Sequence, residues 1–374
     1  MDYGLHNSIL IIDLKQAGDN LRSLQSVFGE NTAVIPVIKG DCFGLGLVEM
    51  ANTILEAIDV KCMAVAHVAE GVELRQAGVQ CPILILGGVL PQMASAAVEY
   101  DLTAGVGRLG IIPLLAEEGR RQNKKVSVQL ALDTGLGRLG VRPGEEFSAL
   151  LDEVKDNLDV INVDGTYSHF GDAETENGEK SYIQYERYIK ALEQMQNTGL
   201  EPGMRHMSNS AASEWLGKAD FDAVRLGRRL FFDNPEKPNG TVKEVATWRT
   251  RITNIKHFKA GETFAYGSGV TLDYDADIAL IGVGYGDGLR HELAVNRAPM
   301  LLHGERVHLL SLCMDQSFVD VTGVKCEVGD EVTLFGYDSD GNFLSAQEVA
   351  SYANDEGCGL TAMITPRVKR IYVK

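Results

Sequence analysis

The sequence predicts an α/β protein, a (β/α)8 TIM barrel over residues 1–238 followed by a mostly β domain over 239–374. Three observations carry this prediction. Between positions 33 and 226, short β-branched runs alternate with amphipathic stretches, and there are eight such runs. The segment Asn234-Pro235-Glu236-Lys237-Pro238-Asn239-Gly240 then breaks the rhythm as a linker, and strands dominate the remaining third of the chain. The length of 374 residues also exceeds one ordinary core of roughly 100–200 residues, so a large barrel or two domains are needed.

Strands are predicted at 33–38, 62–66, 82–86, 102–106, 126–132, 161–167, 204–207 and 223–226. The first of them, 33–38, 62–66 and 82–86, are nearly continuous in apolar residues, as parallel strands covered on both faces are. Between them the period turns helical. In 47–57 the residues Leu47, Met50, Ala51, Ile54 and Leu55 share a face, and in 179–196 Tyr182, Tyr185, Tyr188, Ile189, Leu192 and Met195 do the same. Eight strand–helix units are what a closed parallel barrel requires. Beyond the linker, strands are predicted at 247–258, 278–283, 307–312, 318–321 and 331–335, a helix at 346–353 and a last strand at 367–373.

Composition narrows the partners. With 35 Lys and Arg against 52 Asp and Glu, the net charge is −17, which disfavours nucleic acid and anionic membranes as main partners. A small anionic ligand held by a few arginines stays compatible with that total. No apolar run approaches the ~20 residues of a membrane span, and the N-terminus has no basic leader-like region. The six cysteines form no CxxC pair, so they read as free thiols of a cytoplasmic protein, and neither disulfides nor a metal site are expected.

In such a barrel the reacting groups stand at the carboxyl ends of the strands. There the sequence puts Lys39, Arg138, His169, Ser208-Asn209-Ser210, Arg225 and Gly227-Arg228. Lys39 ends the apolar run Pro36-Val37-Ile38. It is either a lysine snorkelling at a strand end or a desolvated amine suited to a Schiff base. Ser210 with the backbone of Gly227-Arg228 offers a hydroxyl and amides to a phosphate, or else forms ordinary turns. Arg225 is an obligate donor. His169 is either a satisfied barrel histidine or the group that orients Arg225.

These residues resemble the alanine racemase family, pyridoxal-phosphate enzymes with a barrel and a C-terminal β domain. The likeness spans nearly the whole chain. It rests on Val37-Ile38-Lys39-Gly40-Asp41-Cys42-Phe43-Gly44-Leu45-Gly46, Leu132-Asp133-Thr134-Gly135-Leu136-Gly137-Arg138-Leu139-Gly140, Ser168-His169-Phe170 and His206-Met207-Ser208-Asn209-Ser210-Ala211-Ala212. It continues, in the family's order, through Val224-Arg225-Leu226-Gly227, Gly261-Glu262-Thr263-Phe264-Ala265-Tyr266-Gly267, Val283-Gly284-Tyr285-Gly286-Asp287-Gly288 and Cys313-Met314-Asp315-Gln316.

The resemblance implies a racemase of alanine, with pyridoxal 5'-phosphate carried on Lys39 and with Lys39 and Tyr266 as bases on opposite faces of the substrate. It implies a homodimer, because Tyr266 of the second domain serves the partner's barrel. Arg225 would face the cofactor's ring nitrogen, Ser210, Gly227 and Arg228 would meet its phosphate, and Arg138 with the Met314 amide would bind the substrate carboxylate. The chain also departs from the family. Phe43 stands where a tyrosine is usual, a second tyrosine is missing near Thr365-Pro366-Arg367, and Ala131 replaces a lysine that braces Arg138 in many members. Arg228 is a candidate to replace a lost phosphate contact, and Gln129 or a bound anion to brace Arg138. Alternatives are a racemase of serine or a broader set of amino acids, or a non-catalytic homologue that binds the cofactor. A pyridoxal decarboxylase of similar architecture is disfavoured by Arg225, where a carboxylate would be wanted.

Overall fold

The computed structural model describes residues 3–29, 31–232, 242–267 and 269–374. In chain order its strands are β1 (Ser8–Asp13), β2 (Ala33–Pro36), β3 (Met63–Val65), β4 (Ile83–Ile85), β5 (Thr103–Val106), β6 (Val126–Ala131), β7 (Ile161–Tyr167), β8 (Met204–His206) and β9 (Ala223–Leu226). The chain continues with β10 (Ala246–Phe258), β11 (Thr263–Phe264), β12 (Val270–Thr271), β13 (Ala276–Ile281), β14 (Pro299–Leu302), β15 (Glu305–Leu312), β16 (Ser317–Asp320), β17 (Glu331–Tyr337), β18 (Phe343–Leu344) and β19 (Lys369–Val373). The predicted linker at 234–240, and with it the boundary at 238, lies outside the described residues. Among those residues no helix is long and apolar enough to cross a membrane.

One compact unit comprises Leu21–Cys42 and Leu47–Leu230. Its eight strands β2 to β9 form one parallel sheet in the order β2-β9-β8-β7-β6-β5-β4-β3. The sheet closes where Val37, just past β2, bridges Ala64 of β3, with Ile38 N donating to Ala64 O at 2.9 Å. Closure leaves no sheet edge and turns one face inward. Ile35, Val37, Cys62, Ala64, Leu84 and Ala223 fill part of that interior. Every predicted barrel strand is present, some a residue or two shorter than predicted because ladder pairing stops where the loops begin. The helices Leu47–Ala57 and Glu179–Gln196 have the predicted bounds.

The second compact unit gathers the chain up to Asn20, Phe43–Gly46 and the chain from Phe231 onward. Its sheet has the order β18-β17-β14-β15-β16-β13-β10-β1-β19, and β10 also pairs with β17, so β10, β17, β14, β15, β16 and β13 close into a ring. The first residues, which the sequence puts with the barrel, therefore pair in this sheet. Leu10 of β1 lies opposite Trp248 of β10 and beside Arg370 of β19. The physical reason is burial: Ile9, Leu10, Ile11 and Ile12 are all covered, which takes neighbours on both faces. Trp248, itself fully buried, donates from Nε1 to Ser8 Oγ at 2.7 Å. The short strand β14, which begins on a proline, was not anticipated from the sequence either.

Candidate active site

Beyond β2 the buried Val37 and Ile38 lead to Lys39, which is exposed. The backbone then does something unusual. Gly40, Asp41, Cys42, Phe43 and Gly44 have φ of 65°, 54°, 50°, 59° and 81°, one turn of left-handed helix. Each residue with a Cβ held this way costs roughly 1–2 kcal/mol, so three of them store about 3–6 kcal/mol. Hydrogen bonds hold the turn in place. Cys42 N donates to Ile38 O at 2.9 Å, Leu47 N to Asp41 Oδ1 at 2.8 Å and Gly40 N to Glu70 Oε1 at 2.6 Å. The other Glu70 oxygen accepts from the amides of Ala66 and His67, both at 2.9 Å. Lys39 is thus the last residue before a backbone segment fixed against its own preference.

Arg225 on β9 carries its guanidinium into the barrel and is 3% exposed. Nη1 donates to His206 Nδ1 at 2.7 Å and His206 O at 3.1 Å. Nη2 donates to Ser168 O at 2.7 Å, Met207 O at 3.1 Å and His169 Nδ1 at 3.0 Å. All five acceptors are neutral. Because a guanidinium only donates, it fixes the tautomers: His206 accepts at Nδ1, so its proton is on Nε2 and is donated to Gln129 Oε1 at 2.8 Å. His169 accepts at Nδ1 in the same way. Burial, then the nearby charge of Arg225, holds His206 well below the ordinary imidazole pKa.

For His169, burial and then the charges of Arg225, Arg138 and Lys39 bring the pKa down to about 3. Lys39, Arg138 and Arg225, remote in sequence, therefore all act on one imidazole at one barrel mouth. Arg225 is itself lowered to about 10 by burial, yet stays charged at neutral pH. The Tyr167 ring lies 5.6 Å from the guanidinium and stacks on His206 at 5.2 Å.

At the ends of β8 and β9, Gly227 N donates to Ser210 Oγ at 3.3 Å, so the hydroxyl and the glycine stand side by side. Arg228 Nη2 donates to Glu174 Oε1 at 3.1 Å. Its guanidinium is thus committed to a carboxylate, which leaves it poorly placed to act as a spare cation. Arg138 is exposed and has no hydrogen bond or ion pair among the described residues. Gln129, one of the two candidate braces, is taken by His206 instead.

In the second unit Tyr266 follows β11 and is 83% exposed. Its position is set by Phe264, whose ring packs 4.6 Å from Phe258 and 5.7 Å from Phe318, and by Ala265 with a φ of 68°. Met314 sits in a turn clasped by another: Tyr285 N donates to Cys313 O at 3.0 Å and Gly286 N to Met314 O at 2.8 Å. The Met314 amide itself donates to no group among the described residues. Thr365 Oγ1 donates to Gly286 O and Arg367 Nε reaches Asp287 Oδ1, both at 3.0 Å, so the stretch lacking the family's tyrosine is pinned to that turn. Phe43 packs 6.2 Å from Phe231 and 6.3 Å from Phe232.

A family model described as the alanine racemase N-terminal domain matches residues 12–235, and one described as its C-terminal domain matches residues 245–372. The chain belongs to the alanine racemase family. As a member it is an isomerase, an amino-acid racemase. An alanine racemase of Halothermothrix orenii is 33% identical over 366 residues, covering 96% of this chain and 95% of that relative. One of Geobacter sulfurreducens is 32% identical over 374 residues, covering 98% and 97%. Among solved structures, the alanine racemase of Clostridium difficile superposes with a TM-score of 0.89 at 28% identity over 98% of this chain and 96% of its own. That of Bacillus anthracis with bound L-Ala-P gives 0.91 at 25% identity over 100% and 96%.

The sequence alone left His206 and Tyr167 without roles and offered Gln129 only as a brace for Arg138, whereas it pairs with His206. A glutamine inside an otherwise apolar strand was the one visible signal, since a buried amide needs partners. Which strand supplies them depends on the tilt of the barrel.

Proposed function

We propose that this protein racemises a small amino acid, alanine foremost, with pyridoxal 5'-phosphate, and that two copies of the chain complete each site. The observation that carries the reading is the buried Arg225, held by neutral acceptors alone at the mouth to which Lys39 and Arg138 also bring charge.

The donor set fits the cofactor. Lys39 is the amine that would hold it, Ser210 and the backbone of Gly227 and Arg228 would meet its phosphate, and Arg225 would face its ring nitrogen. When bound, the cofactor supplies a conjugated system that spreads the electron pair left as the substrate's Cα proton departs. The protein's part is positioning and proton transfer. Arg225 cannot accept a proton, so it offers none of the carboxylate help that would keep the ring nitrogen protonated. His169 and His206 orient its fork. Arg138 takes the substrate carboxylate as a planar donor pair, joined by the Met314 amide of the partner. Lys39 Nζ removes or returns a proton at Cα on one face, and the partner's Tyr266 Oη does so on the other, which inverts the centre. The 83% exposure of Tyr266 and the unused Met314 amide support a second copy.

The test is direct. Purified protein is mixed with the cofactor, its absorbance is recorded, and L- and D-alanine are incubated in deuterated water. Yellow protein with Cα exchange and inversion is expected. Colourless protein, or exchange with loss of carbon dioxide, would overturn the reading.

A further inference from the structure

A cavity of about 130 Å³ opens among the ends of β4 to β7 in the barrel unit. Leu86, Val89, Leu90, Ile111 and Leu139 give it apolar walls, Arg108 is the charged residue on its lining, and no carboxylate lines it. Two features mark it as built for an occupant. The first is the Tyr167 side chain, 7% exposed and without a hydrogen bond among the described residues. Its hydroxyl lies over Gly105, where a Cβ would stand 2.6 Å from the phenolic oxygen, so a glycine is required for the phenol to reach this space. The second is Ala131 at the end of β6, where any longer side chain would project into the same space.

The phenol keeps its proton and is a donor, because burial raises its pKa to about 12 against the opposing charges of Arg225 and Arg138. The hydroxyl has no hydrogen-bond partner among the described residues and borders the open space, so an acceptor seated in the cavity can take its proton in a hydrogen bond. A donor, one lining cation and apolar walls select an anion with a short tail.

We propose that this cavity binds a short aliphatic monocarboxylate, its chain against the leucine, valine and isoleucine walls and its carboxylate held by the Tyr167 hydroxyl and Arg108. The size of the cavity sets the chain length. It is slightly smaller than the roughly 150 Å³ that takes a benzene ring, so three or four carbons fit and six do not. The site needs neither an amino group on its ligand nor a cofactor, so it stands apart from the racemase reading.

The test uses the full chain in low-chloride buffer, titrated calorimetrically with acetate, propionate, butyrate, pentanoate and hexanoate, and with butylamine. Affinity should rise about fourfold per methylene up to butyrate and gain nothing by hexanoate, with no binding of butylamine. Tyr167→Phe should weaken butyrate about tenfold. Ala131→Leu should leave acetate binding and abolish the chain-length dependence. A flat series, or equal binding of butylamine, refutes the proposal. So does an Ala131→Leu protein that melts like the parent and keeps the full series, since that places the carboxylates at the amino-acid site. Should Ala131→Leu fail to fold, Tyr167→Phe decides alone, and unchanged butyrate affinity refutes.

Discussion

Arg225→Met removes a buried charge together with its five hydrogen bonds. The depression of the guanidinium pKa from 12.5 to about 10 is worth about 3 kcal/mol of unfavourable placement, which methionine relieves. Against this, five acceptors lose a donor at about 1 kcal/mol each, so the net loss of stability is about 2 kcal/mol. The sharper readout is His169. In the parent protein its pKa is about 3, with burial the first cause and Arg225 the second. Removing Arg225 while burial remains should raise that value by at least about one unit, since a charge ~4 Å away at an effective dielectric of 20 acts with several kcal/mol.

Nitrogen NMR of the imidazoles from pH 3 to 8 measures this. His169 and His206 should carry their proton on Nε2 and stay neutral from pH 5 to 8 in the parent, and His169 should begin to titrate within reach of pH 4–5 in the variant. Because the folded pKa lies below the unfolded value of about 6.5, these histidines favour the fold above pH 6.5 and weaken it as pH falls toward 3. A parent His169 that titrates near 6.5, or one that does not move in Arg225→Met, refutes the network as described.

Three other perturbations probe separate features. Tyr266→Phe should keep cofactor colour and stability and lose at least about a hundredfold in turnover from the L-enantiomer, in line with loss of a general base; unchanged turnover in both directions contradicts the role of Tyr266. Gly44→Ala puts a Cβ 2.3 Å from Thr361 O at a φ of 81°, and denaturant unfolding should show a loss of about 3 kcal/mol or more. Asp220 is raised to about 6 by burial, with Arg229 opposing. Its folded pKa lies above the unfolded value, so ionisation works against the fold as pH rises from about 4 through 6. Asp220→Asn should therefore add about 1 kcal/mol at pH 8, after allowance for partial exposure, and nothing near pH 4; an equal gain at both pH values would rule this out.

The barrel was legible because parallel strands covered on both faces leave apolar runs that are hard to mistake, and because a polar residue ending such a run stands out. Lys39, His169 and Arg225 were found on that signal. His206, Tyr167 and the pairing of Gln129 with His206 were not, since their meeting depends on how far neighbouring strands are staggered, which one strand's pattern does not encode. The left-handed turn was half visible. Gly40, Gly44 and Gly46 announce freedom of φ, but Asp41, Cys42 and Phe43 have Cβ atoms and adopt it only because hydrogen bonds around them compel it. The pairing of β1 was hidden for another reason: a continuous apolar run fits any covered position in any sheet.

The place of β1 also bears on how the molecule is made. Ser8 and Trp248 are 240 positions apart, and at 5–20 residues per second the ribosome needs roughly 10–50 s to bridge them. Throughout that interval all the barrel strands have been or are being synthesised, while Ile9 to Ile12 have no strand to pair with. Nascent chains stalled before Ala246 should be caught by holdases or clump through this tip, and release into the folded state waits on the far end of the message.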